Sequence, residues 1–238
     1  MPGKSGAKDL RAAIRGARSH LREHADAAAA PQRKRYLKSP FRVLGARVPD
    51  MRKAAKLAKG AAAAADMEVL EAGLAGLWKS NIHEDRMLAI FIAENVRGRF
   101  DAGHVSGLFK AWLLDSSNWD FVDSICNGLI GPIAEANPIA WSEIESWAGH
   151  DWMWLRRAAI VAQIPAARRL AFDAERLERT IDALIDEHQF FIAKAIGWVL
   201  REISKKDPDA AEKLIRRFHH RAAKLTIREA TKRLPPSP

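Results

Sequence analysis

The sequence contains a single cysteine, Cys126, among 238 residues, which excludes an intrachain disulfide framework and any cysteine-rich zinc module. Strand signals are scarce as well. There is little period-2 alternation and there are few Val or Thr clusters, so a sheet-based fold is set aside for an all-α one. No long apolar run occurs. The stretch Met1 to Leu21 carries Lys4, Lys8, Arg11, Arg15 and Arg18 without the apolar segment of a secretory leader or membrane span, so a cytoplasmic protein with no membrane partner is expected. Of eight histidines, His219 and His220 form the only adjacent pair; neither a metal nor any other cofactor is expected. Tyrosine occurs once, at Tyr36.

What is abundant is Ala, Leu, Arg, Lys and Glu, the composition of a helical chain. Lys plus Arg outnumber Asp plus Glu by 39 to 29, a formal charge of +10, which makes a polyanion the first partner to consider. Breakers at Pro31, Pro49, Gly60, Gly98, Gly131-Pro132, Asn137-Pro138, Pro165 and Asp207-Pro208 divide the chain into helices expected to run about 10 to 16 residues. Similar segments recur, beginning at His83 (HEDRMLAIFIAE), Asn118 (NWDFVDSICNGLI), His150 (HDWMWLRRAAIVAQI), His188 (HQFFIAKAIGWVL) and Leu225 (LTIREATKRL), with starts 35, 32, 38 and 37 residues apart. That period suits HEAT- or ARM-like helical repeats stacked into a curved α-α superhelix, whose second helices line one surface.

Aligning those second helices places Arg86, Asp123, Arg157, Lys194 and Arg228 at equivalent positions. One acid stands in a basic row. Asp123 is either a structural ion-pair partner for a neighbouring Arg or a carboxylate reserved for chemistry in a groove that tracks phosphates. Trp119 lies four residues before it, so an indole and a carboxylate project from the same side of a helix. Eight tryptophans are present, and most of them are read as core residues. Trp198 is distinguished by Lys194 four residues before it and Arg201 three after it, a combination suited to a nucleic-acid backbone. Arg157, three residues after Trp154, has two readings. It binds a phosphate or it holds Asp123 ionised.

The segments SSNWDFVDS, WLRRAAIV and FFIAKAIGWVLRE resemble those of the AlkD-like DNA alkylation repair glycosylases, a family of HEAT-like repeats. RYLKSPFRVLGARVPDMRKAAK, LWKSNIHEDRMLAI and TIREATKRL extend the resemblance collinearly from about residue 30 to 234. It implies functional roles for Trp119, Asp123, Arg157, Trp198 and Tyr36. One departure is Asn118, where relatives often carry another aromatic. The division of the chain is expected to be a basic N-terminal arm or first helix over 1–20, a single HEAT-like repeat glycosylase domain over 21–234 and a disordered tail over 235–238.

The implied activity is hydrolysis of the N-glycosidic bond of positively charged alkylated purines, of the 3-methyladenine and 7-methylguanine class, in duplex DNA. Asp123, Trp119 and Trp198 are the expected catalytic residues, with Arg157, Tyr36, Lys194 and Arg201 contacting DNA. No lysine lies in the catalytic motif as an evident Schiff-base nucleophile, so an abasic site without strand cleavage is expected. The family is known for binding damaged duplex without a snug base pocket. The partner is then double-stranded DNA carrying alkylated bases, with the protein a monomer that needs no protein partner. The alternative is a catalytically silent paralogue that recognises damaged or branched DNA. A protein-interaction solenoid is disfavoured by the basic row.

Overall fold

A computed structural model describes residues 3–234, with side chains from Gly6 onward; the expected tail over 235–238 lies outside the described residues. In chain order the main helices are α1 (Gly3–Glu23), α2 (Ala30–Leu37), α3 (Val48–Leu57), α4 (Lys59–Ala64), α5 (Met67–Trp78), α6 (His83–Asn95), α7 (102–114, with a π turn at Val105–Phe109), α8 (Trp119–Ile125) and α9 (Gly131–Ala136). They continue with α10 (Ala140–Ser146), α11 (Met153–Val161), α12 (Ile164–Ala167), α13 (Ala174–Leu184), α14 (Phe190–Ser204), α15 (Pro208–Phe218) and α16 (Lys224–Ala230). Among the described residues there is no strand, only an isolated bridge between Arg42 and Ile82. Nor is any of these helices long and apolar enough to cross a membrane.

The five repeated segments fall on α6, α8, α11, α14 and α16, each following a helix of its own pair in the chain. The fold is an all-α helical-repeat one. Several helices are shorter than the expected 10 to 16 residues: α4 has 6 and α8 and α16 have 7 each. Tighter or wider turns interrupt them, as in the π turn Cys126–Ile130 after α8 and the 3-10 turn Thr231–Arg233 after α16. Proline acts mainly as a starter. Pro31, Pro49 and Pro208 sit in the first turn of a helix, where the missing N–H has no intrahelical acceptor to lose, whereas Pro132 directly follows the π turn Cys126–Ile130 in a continuous helical run.

The contacts divide the chain into two compact units: the described residues up to Phe100 with Ser117–Ser124, and Asp101–Ser116 with the described residues from Ile125 onward. In the first, α6 is the central rod, buried at every position from His83 to Ala93. It packs on α3 and α5, and α1 packs on both of these through Leu10, Ala17 and Leu21. The first turn of α6 is polar, and each of its side chains has a partner. Glu84 accepts from the backbone N–H groups of Leu44 and Gly45 at 2.9 to 3.0 Å, and Asp85 accepts from Arg18 at 2.7 Å and from Ser80 at 2.7 Å. Arg86 donates to the Ser80 carbonyl at 3.1 Å and lies 3.9 Å above the Phe41 ring.

In the second unit α14 has the central place, against α11, α15 and α16. Gly197 permits the close approach of α16: a Cβ there would stand 2.5 Å from Glu229 Cβ and 2.8 Å from the Thr226 carbonyl. Thr226 in turn donates to the Ala193 carbonyl at 3.1 Å.

Gly45 ties local conformation to packing in the first unit. Its φ is +89°, and a Cβ would fall 2.1 Å from the Asp26 carbonyl oxygen, so a side chain is opposed by backbone conformation and by an immobile neighbour at once. Gly45→Ala is expected to destabilise the protein by at least about 2 kcal/mol, read as a lower urea midpoint. An unchanged midpoint would contradict the close approach.

Candidate active site and nucleic-acid interface

Helix α8 is anchored from beneath. Phe121 and Val122 are fully buried, with the Phe121 ring stacked on His83 at 4.5 Å and edge-on to Trp78 at 5.5 Å. Asn118, itself buried, accepts from the Phe121 N–H at 3.3 Å and so caps the helix start. With Phe121 and Val122 directed into the core, Trp119, Asp120 and Asp123 remain half-buried.

Trp119 meets Tyr36 of α2 at 5.5 Å between ring centroids and 85° between planes, an edge-to-face corner. Tyr36 is 71% exposed. The two rings border a cleft of about 400 Å³, also lined by Val43, Met51, Arg33 and Asp120. Asp123 follows Trp119 by one helical turn, which puts its carboxylate on the indole side of α8.

A buried polar relay fixes both sides of this corner. His83 Nε2 is 3.0 Å from Asp120 Oδ2, and its Nδ1 is 3.0 Å from Ser39 Oγ. The Ser39 hydroxyl also accepts from the Phe41 N–H at 3.3 Å. One proton assignment satisfies the whole set: the serine O–H donates to Nδ1 and the imidazole Nε2–H donates to Asp120. Ser39 closes the turn after Tyr36, and Asp120 adjoins Trp119. None of Ser39, His83 and Asp120 was singled out from sequence, although Asp120 belongs to the NWDFVD segment and His83 opens a repeated helix.

The remaining predicted residues lie in the second unit. Arg157 is only 4% exposed and donates to the Phe191 carbonyl, with its guanidinium 5.8 Å above the Phe191 ring. Trp198 is half-buried, donates from Nε1 to Glu202 at 2.9 Å and carries the Arg168 guanidinium 5.6 Å from its ring. Lys194, half-buried, places Nζ 5.4 Å from the exposed Phe190 ring. Arg201 is paired with the buried Glu229 at 2.6 Å. The expected basic row therefore divides. Arg86 and Arg157 are inside, serving carbonyls and aromatic faces, while Lys194 and Arg228 keep contact with solvent.

Glu202 and Glu229, which sequence reading missed, organise the cations of this unit. Glu202 takes Arg168 at 3.3 Å and Lys205 at 2.7 Å, and Glu229 takes Arg201 and Lys232 at 2.6 Å each. Burial works to raise both carboxyls. It is outweighed by hydrogen bonds from Lys205 and Trp198 and the charge of Arg168 at Glu202, and by Lys232, Lys194 and Arg201 at Glu229, so both stay below the ordinary glutamate range. Five cations thus surround two carboxylates, leaving a local positive surplus that suits a polyanion.

A family model described as DNA alkylation repair enzyme matches residues 17–234. The chain belongs to that family. Among solved structures it is similar to one described as a "Predicted DNA alkylation repair enzyme from Enterococcus faecalis", with 25% identity, 90% of this chain and 98% of that chain covered, and a TM-score of 0.80. AlkD2 from Streptococcus mutans shares the fold at 17% identity and a TM-score of 0.58, with 87% of this chain and 100% of that one covered. The protein smu.31 from Streptococcus mutans UA159 does so at 18% and 0.55, over 78% and 92%. No curated protein matches significantly.

The depressed carboxyls carry a pH consequence for this family member. A carboxyl whose folded pKa lies below its unfolded value of about 4.3 contributes stability that is complete above that value and is lost as pH falls through the lower folded one. Glu229→Gln is accordingly expected to lose less stability than wild type between pH 7 and about pH 3, measured by urea unfolding at each pH. Equal losses would remove Glu229 from this role.

Proposed function

We propose that this DNA alkylation repair protein is a monofunctional glycosylase acting on cationic N3- or N7-alkylated purines in duplex DNA, with Asp123 as the catalytic carboxylate. The observation that carries the reading is the half-buried Asp123 one turn from Trp119, whose indole forms an aromatic corner with the exposed Tyr36.

Alkylation at a ring nitrogen places a positive charge on the base, and the C1′–N9 bond breaks with its electron pair neutralising that charge. Little acid catalysis is then required. The sugar left behind develops oxocarbenium character, and a carboxylate near it lowers the barrier electrostatically. Asp123 supplies that charge and takes a proton from the water whose oxygen bonds to C1′. The products are the free neutral base and an abasic site in an uncut strand. Trp119 presents an electron-rich face that favours a cationic sugar, and Tyr36 extends that aromatic surface against the backbone; Trp198 enters the proposal separately, as an aromatic face of the second unit.

Phosphate binding is assigned first to Lys194, which is partly open to solvent beside an exposed ring. Arg201 adds positive charge to the same cation group around Glu229. Arg157, buried against Phe191, enters the proposal as a residue that holds its helix in place, with any phosphate contact secondary.

The decisive assay is release of 3-methyladenine and 7-methylguanine from methylated duplex DNA. Asp123→Asn keeps the shape and removes the charge, so base release is expected to fall at least about 100-fold while DNA affinity is retained. Wild-type binding without release would leave the silent-paralogue reading, and unchanged turnover in Asp123→Asn would overturn the role of that residue. A separate measurement concerns the interface: Lys194→Ala is expected to reduce the slope of log affinity against log salt by about 0.9. An unaltered slope would take Lys194 off the phosphate path.

A further inference from the structure

The last turn of α1 and the residue that follows it read SHLREH and bring three potential ligands together, His20, Glu23 and His24, at positions i, i+3 and i+4. Their nearest ligand atoms, one ring nitrogen from each histidine and a carboxylate oxygen, all lie within 4.8 Å of one another. Two ligands about 2.2 Å from a zinc ion stand at most about 4.4 Å apart, so closing the set takes torsional changes in Glu23 and His24, both exposed.

Further observations bear on a cation there. His24 Nδ1 is 2.9 Å from the His20 carbonyl oxygen, an arrangement in which Nδ1–H donates to the carbonyl and the Nε2 lone pair is left for a metal. That is the outer hydrogen bond metal-ligating histidines characteristically make. The two imidazoles lie one above the other at 4.0 Å and 29°, so a shared ion requires the exposed His24 ring to turn out of the stack until both ring planes contain it, and Ser19 Oγ donates to Glu23 at 3.0 Å. His20 Nε2 is shielded from solvent without a hydrogen-bond partner, so this ring has unused bonding capacity. The end of a long helix also presents unpaired carbonyls and the negative pole of its dipole.

We propose that His20, Glu23 and His24 form a binding site for a divalent transition-metal ion of the zinc class. Two imidazoles with one carboxylate favour such ions over calcium or magnesium, which prefer all-oxygen sets. The sequence reading expected no metal because it weighed only the adjacent pair His219 and His220 and passed over the H-x-x-E-H spacing. The site fastens the last turn of α1, the helix whose Arg18 pairs with the first turn of α6. It is independent of the proposed base-release chemistry.

The test is titration of the full chain, stripped with a chelator, with zinc chloride by calorimetry and with cobalt chloride by visible absorption. The expected result is one ion per chain, with affinity at least about tenfold weaker in His24→Ala and in His20→Ala/His24→Ala. Zinc should raise the melting temperature of wild type and not of the double variant. His219→Ala/His220→Ala should bind as wild type does. Absence of stoichiometric binding by wild type, undiminished binding by His24→Ala, or loss of binding in His219→Ala/His220→Ala would each overturn the proposal. Where the double variant is destabilised, His24→Ala, altered at an exposed position, decides the question.

Discussion

The first unit depends on four consecutive polar side chains at the buried start of α6. His83, Glu84, Asp85 and Arg86 are all out of solvent, and burial of such groups is costly unless every one of them is partnered. Their partners come from different parts of the chain: Asp120 and Ser39 for His83, the backbone of Leu44 and Gly45 for Glu84, Arg18 and Ser80 for Asp85, and the Ser80 carbonyl with Phe41 for Arg86. A shift of any one segment leaves a buried group unsatisfied. Removing a partner from such a network costs more than an average surface contact is worth, so the cluster acts on specificity of arrangement as much as on stability.

The aromatic corner inherits its position from this cluster. Tyr36 precedes Ser39 by three residues and Trp119 immediately precedes Asp120, so the two ends of the His83 relay are also the two sides of the cleft. A rigid first turn of α6 is thereby converted into a defined separation between two rings on different helices. Asp123 takes its place from the same helix, through the burial of Phe121 and Val122 on the opposite side.

The second unit solves a different electrostatic problem. Its buried carboxylates Glu202 and Glu229 are outnumbered by the cations they hold, so the surface stays positive although each acid is satisfied. Two of the three arginines at the repeat-equivalent positions are used internally. Arg86 and Arg157 each donate to a backbone carbonyl and lie over an aromatic ring, which joins consecutive segments within each unit. A basic position that recurs through the repeats therefore serves packing in some of them and remains available to an anion in others, such as Lys194.

The sequence by itself determined the helical class, the position of the five repeated segments and the pairing of an indole with a carboxylate on α8. These are local properties, set by periodicity of 3.6 residues and by spacing along one helix. It also placed most helix boundaries at proline and glycine, though it did not determine that Pro31, Pro49 and Pro208 begin helices. What only the tertiary structure decided was burial and partnership. Arg86 and Arg228 carry the same charge at equivalent repeat positions, yet one lies under aromatic rings and the other is exposed. His83, an ordinary histidine in the sequence, became the link between Ser39 and Asp120. His20, Glu23 and His24 were readable at helical spacing, but the carbonyl bond that fixes the His24 tautomer required coordinates. The reason is physical: a residue's helical face follows from its own neighbours, whereas the role of its charge depends on groups up to tens of residues away that folding brings within 3 Å.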